Sequence, residues 1–394
     1  MKQSITASLM RSINRSAVLE LLRHNSPIAR TRIAEDLEMS LPTVMRIVDG
    51  LIEEDLVRAT GNSERTGGRR RPLLQFNGNA HAVVGVDLGG VGMFGAVADL
   101  SGNIQHETHA SHEDTPECSV ECLIELIQSL LDAPRPDGQR IRGIGIGAPG
   151  VTLRPDGVVI WSPSMQWQDL PLNSILADHF DLPVFVDNDV NLATLGEWEF
   201  GIGQGSEDLV CFYVGRGIGS GIMIGDVLYR GHNQAAGEIG YLLPGIEFLG
   251  RRYDNFGALE DMASITSIIA RAHELMAQEG ISIPAEGITV HDILAAARQG
   301  ETWARQLVDE TVKYLALAIA AISSLLNPEL IILSGTLAGA ADLFIEPISE
   351  YLEGVVPFAP KLLASSLEHR AVVLGAVTLV LNRTGEYFVV KQRP

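Results

Sequence analysis

Apolar and polar positions alternate with different periods along the chain, and the changes of period mark its parts. Ile13, Ala17, Val18, Leu21 and Leu22 recur at helical spacing and predict a helix over Ile13–His24, broken by Pro27. Ile33, Ala34 and Leu37 predict a short second helix over Thr31–Leu37. After the turn E-M-S, Ser40 is the expected N-cap of a third over Leu41–Glu53, with Pro42 in the first turn, where its missing N–H costs nothing. On that helix Val44, Ile47, Val48 and Leu51 face inward, leaving Pro42, Thr43 and Arg46 outward near its N-terminal half. Past Leu56 the period shortens to a β-ribbon, V-R-A-T and P-L-L-Q-F, around a polar tip S-E-R-T-G-G-R-R-R-P.

From Ala80 the pattern becomes that of an α/β protein. A-V-V-G-V-D-L-G-G-V-G-M-F-G-A-V-A-D reads as strand, turn and strand, followed by a hairpin turn at Ser101-Gly102-Asn103. A helix fits Glu117–Leu131, buried strands fit Ile141–Gly150 and Val184–Asn188, and V-G-R-G-I-G-S-G-I-M-I from Val214 reads as strand, glycine turn, strand. Glu260–Leu326 is mostly helical, and Leu330–Thr336 is a further buried strand. The last residues, E-Y-F-V-V-K-Q-R-P, suit either an added edge strand or a loose tail. The expected architecture is a winged helix-turn-helix at 1–79, then an α/β body of two lobes at 80–394. The lobes would run roughly over 80–190 plus the C-terminal end, and over 191–380.

Charge sharpens the division. Residues 1–79 carry 12 Lys and Arg against 9 Asp and Glu, while the rest carries 17 against 40. Such an acidic body repels nucleic acid, so DNA contact must come from the N-terminal segment. Helix, short turn and helix is a DNA-reading arrangement, in which Ser40, Pro42, Thr43 and Arg46 lie near the bases and Arg46 can fork onto guanine. Arg69, Arg70 and Arg71, at the wing position, suit phosphates or a narrow minor groove. No apolar run is long enough for a membrane span and no secretory signal opens the chain, so a cytoplasmic protein is expected. Cys118, Cys122 and Cys211 form neither a disulfide framework nor a metal motif.

Candidate ligand chemistry gathers in three places. Asp87-Leu88-Gly89-Gly90 closes the first turn and resembles the turn that holds phosphate in actin-like ATPase domains. Asp187, Asn188, Asp189 and Asn191 cluster at a strand end before a helix, the crevice position of α/β sheets. Gly215, Gly217, Gly219 and Gly221 lack the Cβ atoms that would hold a ligand off the backbone, and Glu238 and Glu260 follow between glycines.

Together these segments resemble the ROK family (repressors, open reading frames, kinases) of the actin/hexokinase-like superfamily, in its repressor branch. The likeness covers nearly the whole chain. It runs through D-L-G-G at 87–90, G-A-P-G at 147–150, S-P-S-M-Q-W-Q-D-L-P-L at 162–172, D-N-D-V-N at 187–191, G-R-G-I-G-S-G at 215–221, G-E-I-G at 237–240 and L-S-G-T-L-A-G-A at 333–340. The resemblance implies a sugar pocket using Asn188, Asp189, Glu238 and Glu260, with Asp189 at the position of the kinase base and Ser164 where kinases often have Asn. Two departures matter. Tyr241, Arg251, Tyr253 and Ala258 stand where the family has the His and three Cys of a zinc site, so no metal is expected there. That loop would be held by packing around Tyr241, Tyr253 and Phe256, with Tyr241 either in that packing or offering its hydroxyl to the ligand. Val91 and Arg216 replace threonines that position ATP in kinase members. Phosphate contacts by Asp87, Gly89, Gly90, Arg216 and Gly217 would therefore support phosphoryl transfer poorly, and no cofactor is expected.

The reading is a sugar-responsive transcriptional regulator, a repressor of carbohydrate genes. A monosaccharide in the cleft would modulate a homodimer, or dimer of dimers, on double-stranded operator DNA, with no membrane partner. An ATP-dependent sugar kinase with a DNA-binding head is one alternative. A regulator with a vestigial pocket, controlled by a protein partner, is the other.

Overall fold

The computed structural model describes residues 7–66, 69–89, 92–110, 116–154, 156–253, 257–284 and 287–384. The chain begins with three helices, α1 (Ala7–Asn25), α2 (Arg30–Asp36) and α3 (Leu41–Glu53), then the ribbon β1 (Val57–Thr66) and β2 (Arg69–Phe76). Ser40 caps α3, its hydroxyl accepting the Thr43 amide at 3.4 Å, and Val44, Val48 and Leu51 are buried beneath it. The wing departs from expectation. Its ladder continues through Ser63–Thr66, which pair with Pro72–Arg69, so Arg69, Arg70 and Arg71 belong to a strand and not to a loop. The pairing is through backbone groups, which polar side chains do not prevent, and a bulge between Ala59 and Ser63 absorbs the change of register.

Two five-stranded sheets built on one plan follow. In the first, β3 (His81–Asp87), β4 (Met93–Asp99) and β5 (Ile104–Ala110) form an antiparallel meander. Helix α4 (Pro116–Leu131) leads to β6 (Arg140–Ala148), parallel to β3. A small sheet of β7 (Val151–Leu153), β8 (Val158–Ser162) and β9 (Trp167–Leu170) and a short α5 (Leu172–Ala177) precede β10 (Val184–Asn188), parallel to β6. Helix α6 (Asp189–Phe200) crosses to the second sheet, where β11 (Leu209–Val214), β12 (Ile218–Ile224) and β13 (Val227–Tyr229) make another meander. Helices α7 (Ala258–Ala263), α8 (Ile265–Gln278), α9 (Val290–Gln299) and α10 (Thr302–Leu326) lead to β14 (Leu330–Gly335). Helix α11 (Ala341–Leu352) then leads to β15 (Lys361–Ala364). β14 and β15 extend β11 in parallel. The fold is thus α/β, as expected, with N-terminal helices followed by two mixed sheets.

The last helix, α12 (Ala371–Thr384), crosses α6 and lies on β3, β4 and β6. Ala371 through Leu381 are buried without interruption, because this helix has partners on all sides. Its contact with α6 is close enough to need glycine: a Cβ on Gly375 would fall 1.8 Å from the Leu192 carbonyl oxygen, and one on Gly196 would fall 2.1 Å from that of Ala371. The head also rests on α12. Val18, Leu22, Leu51 and Leu74 share one apolar cluster with Val83, Ala98, Val377 and Val380.

Candidate functional site

A cleft of about 730 Å³, counted to its open mouth, lies where the two sheets meet. It gathers Asn188, Asp189, Ser164, Arg216, Gly217, Gly89, Glu238, Tyr241 and Glu260, positions scattered over more than 170 residues of sequence.

Strand β10 delivers the first acid. Its last residue, Asn188, caps α6 by accepting the Asn191 amide at 2.9 Å, and its side-chain amide donates to the Gly150 carbonyl at 3.0 Å and to Asp189 Oδ1 at 3.1 Å. Asn188 is therefore committed to positioning. Asp189 Oδ1 also accepts the Val190 amide at 2.8 Å. Its Oδ2 points at Gly89, where a Cβ would fall 2.0 Å away. Asp87, at the end of β3, faces the same spot and accepts the Gly89 amide at 2.8 Å. Burial pushes Asp189 up to about 6, against the pull of the Val190 amide. Burial, and then the charge of Asp189, push Asp87 up to about 7.

The second lobe supplies the other acids. Glu238 follows Gly237, whose φ of 92° and approach to the Ser220 carbonyl exclude a side chain. Burial first, then the charges of Asp189 and Glu260, raise Glu238 to about 7. Glu260 is spoken for on both oxygens: Oε1 accepts the Ile218 amide at 2.7 Å and Oε2 the Gly257 amide at 3.1 Å. Burial raises it and those two amides oppose the rise.

Several expectations are corrected here. The glycines of 215–221 also make room for protein: a Cβ would meet the Tyr213 ring at Gly215, Glu260 at Gly217, Val190 at Gly219 and Thr194 at Gly221, while Gly217 and Gly219 line the cleft. Tyr241 is 54% exposed on the cleft wall, so it is not core packing, and Tyr253 is only half-buried. Phe256 lies outside the described residues, as do Gly90, Val91 and the tail from 385. Glu260 ties the end of the loop at Gly257 to β12 at Ile218 through the two amides above. Arg251 is exposed over the Phe248 ring, 5.2 Å from its centroid, and Ala258 is buried. Among the described residues, one group of His, Cys and acids is close enough to share a metal ion: Glu20, His24 and Glu199, away from this loop.

Sequence reasoning missed Trp161, 40% exposed on the cleft wall, and the ion pair from Asp187 on β10 to Arg230 beyond β13 at 2.5 Å. Neither carries a local motif, since each acts through residues distant in sequence. On the head, Pro42 and Arg46 are exposed, and Thr43 bonds Ser40 at 2.8 Å between hydroxyls. Met45, also exposed, lies beside them on the same face. The side chains of Arg69, Arg70 and Arg71 lie outside the described ones.

The chemistry of the cleft is that of a hydrogen-bond acceptor. Hydroxyl donors favour ionised carboxylates over protonated ones, so filling the cleft with a polyol should release protons from Asp189 and Glu238, which line it. The expected result is that affinity rises as pH climbs from about 5.5 to 7.5 and levels above the raised values, by at most about tenfold per unit for each proton released. Without ligand the sign is opposite. The folded acids hold protons more tightly than the unfolded chain, so stability present near pH 4 declines as pH rises through 7. Titration calorimetry in buffers of differing ionisation enthalpy reads the released protons; a pH-independent affinity would count against this assignment.

Comparison with known proteins agrees with this geometry. The ROK family model matches residues 83–383. The xylose repressor of Caldicellulosiruptor bescii is 32% identical over 388 residues, covering 95% of this chain and 97% of that one. Among solved structures, a ROK family transcriptional regulator, a homologue of the Escherichia coli MLC protein, superposes with a TM-score of 0.80 at 26% identity, covering 96% of this chain and 97% of its own. A ROK family glucokinase from Streptomyces griseus, in complex with glucose and AMPPNP, gives a TM-score of 0.67 at 27% identity, covering 76% of this chain and 98% of its own. No described helix is long and apolar enough to cross a membrane.

Proposed function

Because this chain belongs to the ROK family, and to its transcriptional regulators, we propose that it is a sugar-responsive repressor of carbohydrate-utilisation genes. The observation that carries this reading is the convergence of Asp189 and Glu238 on one cleft, in a chain whose separate N-terminal head exposes Pro42 and Arg46 on a capped helix. Residues 1–79 read DNA and 80–394 bind the sugar. Asp189 and Glu238 accept its hydroxyls, Glu260 and Asn188 hold the walls, and Ser164 and Tyr241 border it. A monosaccharide suits the site because its ring offers hydroxyls to acids and C–H faces to Trp161 and Tyr241. The regulator acts in the cytoplasm as a homodimer on an inverted-repeat operator, each head taking one half-site, or as a dimer of such dimers. It needs no zinc at the 241–258 loop, since Tyr241, Arg251, Tyr253 and Ala258 offer no thiolate or imidazole, and no ATP, since Val91 and Arg216 lack the hydroxyls that position it in kinase members.

Fluorescence anisotropy on DNA from upstream of its own gene, at fixed salt, tests both halves. Tight binding should shift on addition of one member of a panel of D-xylose, D-glucose and N-acetyl-D-glucosamine. Arg46→Ala should weaken specific binding by about 10- to 100-fold, leaving non-specific binding nearly unchanged, as expected for loss of about 1–3 kcal/mol of base readout. Absence of specific DNA binding, together with sugar-dependent ATP turnover, would replace this reading with a kinase.

A further inference from the structure

Helix α6 reaches from the cleft to the DNA-reading head. Its first residue is Asp189; its last two, Glu199 and Phe200, lie about 15–17 Å away along a single helix. Most of its residues between these ends are buried, and its far end is clamped. Glu197 accepts the amides of Ile202 and Leu367 at 3.1 Å each and the hydroxyl of Ser365, tying α6 to the segment that opens α12.

On the head side, Arg23 of α1 meets this end of α6. Its guanidinium lies 2.7 Å from Glu199 Oε1, with Glu199 only 5% exposed and Arg23 12%. The same guanidinium sits 5.9 Å from the Phe200 ring centroid and 5.8 Å from that of Phe76, at the base of the wing. His24 and Glu20, bonded to each other at 2.7 Å, close the group, His24 lying 3.9 Å from Glu199. One cation thus touches the first helix, the wing and the cleft helix together. A buried pair of this kind is a poor source of stability, because desolvation offsets its attraction, but it has a single geometry.

We infer that Arg23 and Glu199 are positioning residues that convey the state of the sugar cleft to the DNA-reading head, with α6 as the rod between them. The inference rests on the regulator reading above. A ligand that draws Asp189 toward it displaces α6 along or about its axis, and the Arg23–Glu199 pair obliges α1 and the wing to follow. In a dimer that movement changes the spacing of the two heads. The coupling is the ratio of operator affinities with and without sugar, and binding energies make it reciprocal.

The test uses the full chain and three readings: operator Kd without sugar, sugar Kd without DNA, and operator Kd at saturating sugar. The probes are the upstream DNA and whichever panel sugar shifts the unaltered protein. Glu199→Gln keeps the volume and removes the charge. It should leave the first two readings within about threefold and reduce the sugar-dependent ratio by about tenfold or to unity. Should Glu199→Gln fail to fold, the paired variant Arg23→Met with Glu199→Leu replaces two buried charges by apolar groups that pack. It should give the same loss of response. A response equal to that of the unaltered protein in either folded variant overturns the inference. So does loss of DNA binding without sugar, which would make the pair a support of the head alone. If the unaltered protein itself shows no sugar response, the regulator reading fails first, before any variant is compared.

Discussion

Asp189→Ala should abolish the response to sugar while leaving the unliganded protein as stable as before, or slightly more so. The carboxylate is buried, lies beside Asp87 and Glu238, and among the described residues forms no ion pair with a cation. Its removal eliminates a desolvated charge and relieves Asp87, whose raised value owes part of its height to Asp189. Binding has the opposite dependence. Hydrogen bonds to an ionised group contribute about 1.5–3 kcal/mol each, so loss of two accepted hydroxyls should weaken sugar affinity by at least about 100-fold. Asp189→Asn should fall between, since an amide oxygen still accepts but carries no charge. Calorimetry reads the affinity and urea unfolding the stability. Sugar binding that survives Asp189→Ala would move the site elsewhere, and a large loss of stability would make Asp189 a structural residue.

How far the sequence foretold this site depends on the range over which each feature is determined. Ser40, Pro42 and the Val44–Leu51 spacing are local, and α3 forms where they place it. Strand β10 and the polar cluster after it were equally legible, because a run of buried β-formers ending in Asp and Asn is a local pattern. The assignment of Asn188 to the cap, leaving Asp189 to the cleft, was not legible. Both residues suit an N-cap, and the Asn188 amide is bound to the Gly150 carbonyl, 38 residues away in the chain. The glycine loop was legible only in part for a similar reason. Absence of a Cβ says that something comes close, but not that Glu260, Val190 and Thr194 do so beside the cleft. Helix α12 went unrecognised because a helix buried on every side has no polar stripe to show its period. Ion pairs such as Asp187–Arg230 and Arg23–Glu199 join residues 43 or more positions apart and leave no trace in local spacing.

The crossing of α6 and α12 gives the second large effect, because two glycines in helices should respond to alanine with opposite signs. In an ordinary helix interior, Gly→Ala stabilises by about 0.5–1 kcal/mol through the unfolded chain. Gly50 in α3 is such a place: the nearest atom to an added Cβ is an Arg15 nitrogen at 3.6 Å, an ordinary contact. Gly50→Ala should therefore raise the urea midpoint. Gly375 has the same helical advantage, but its Cβ would fall 1.8 Å from the Leu192 carbonyl and close to that residue's backbone carbon at 2.5 Å. Backbone cannot turn aside as a side chain can, so the helices must separate. Overpacking of a close core contact costs about 1–3 kcal/mol, and this one should lie at or above the upper limit. The cost extends to function, because α6 carries Asp189 at one end and Glu199 at the other. Gly375→Ala should lower the unfolding midpoint and weaken sugar binding together. Equal midpoints for the two alanine variants would show that the helix crossing yields more readily than its contact distances indicate.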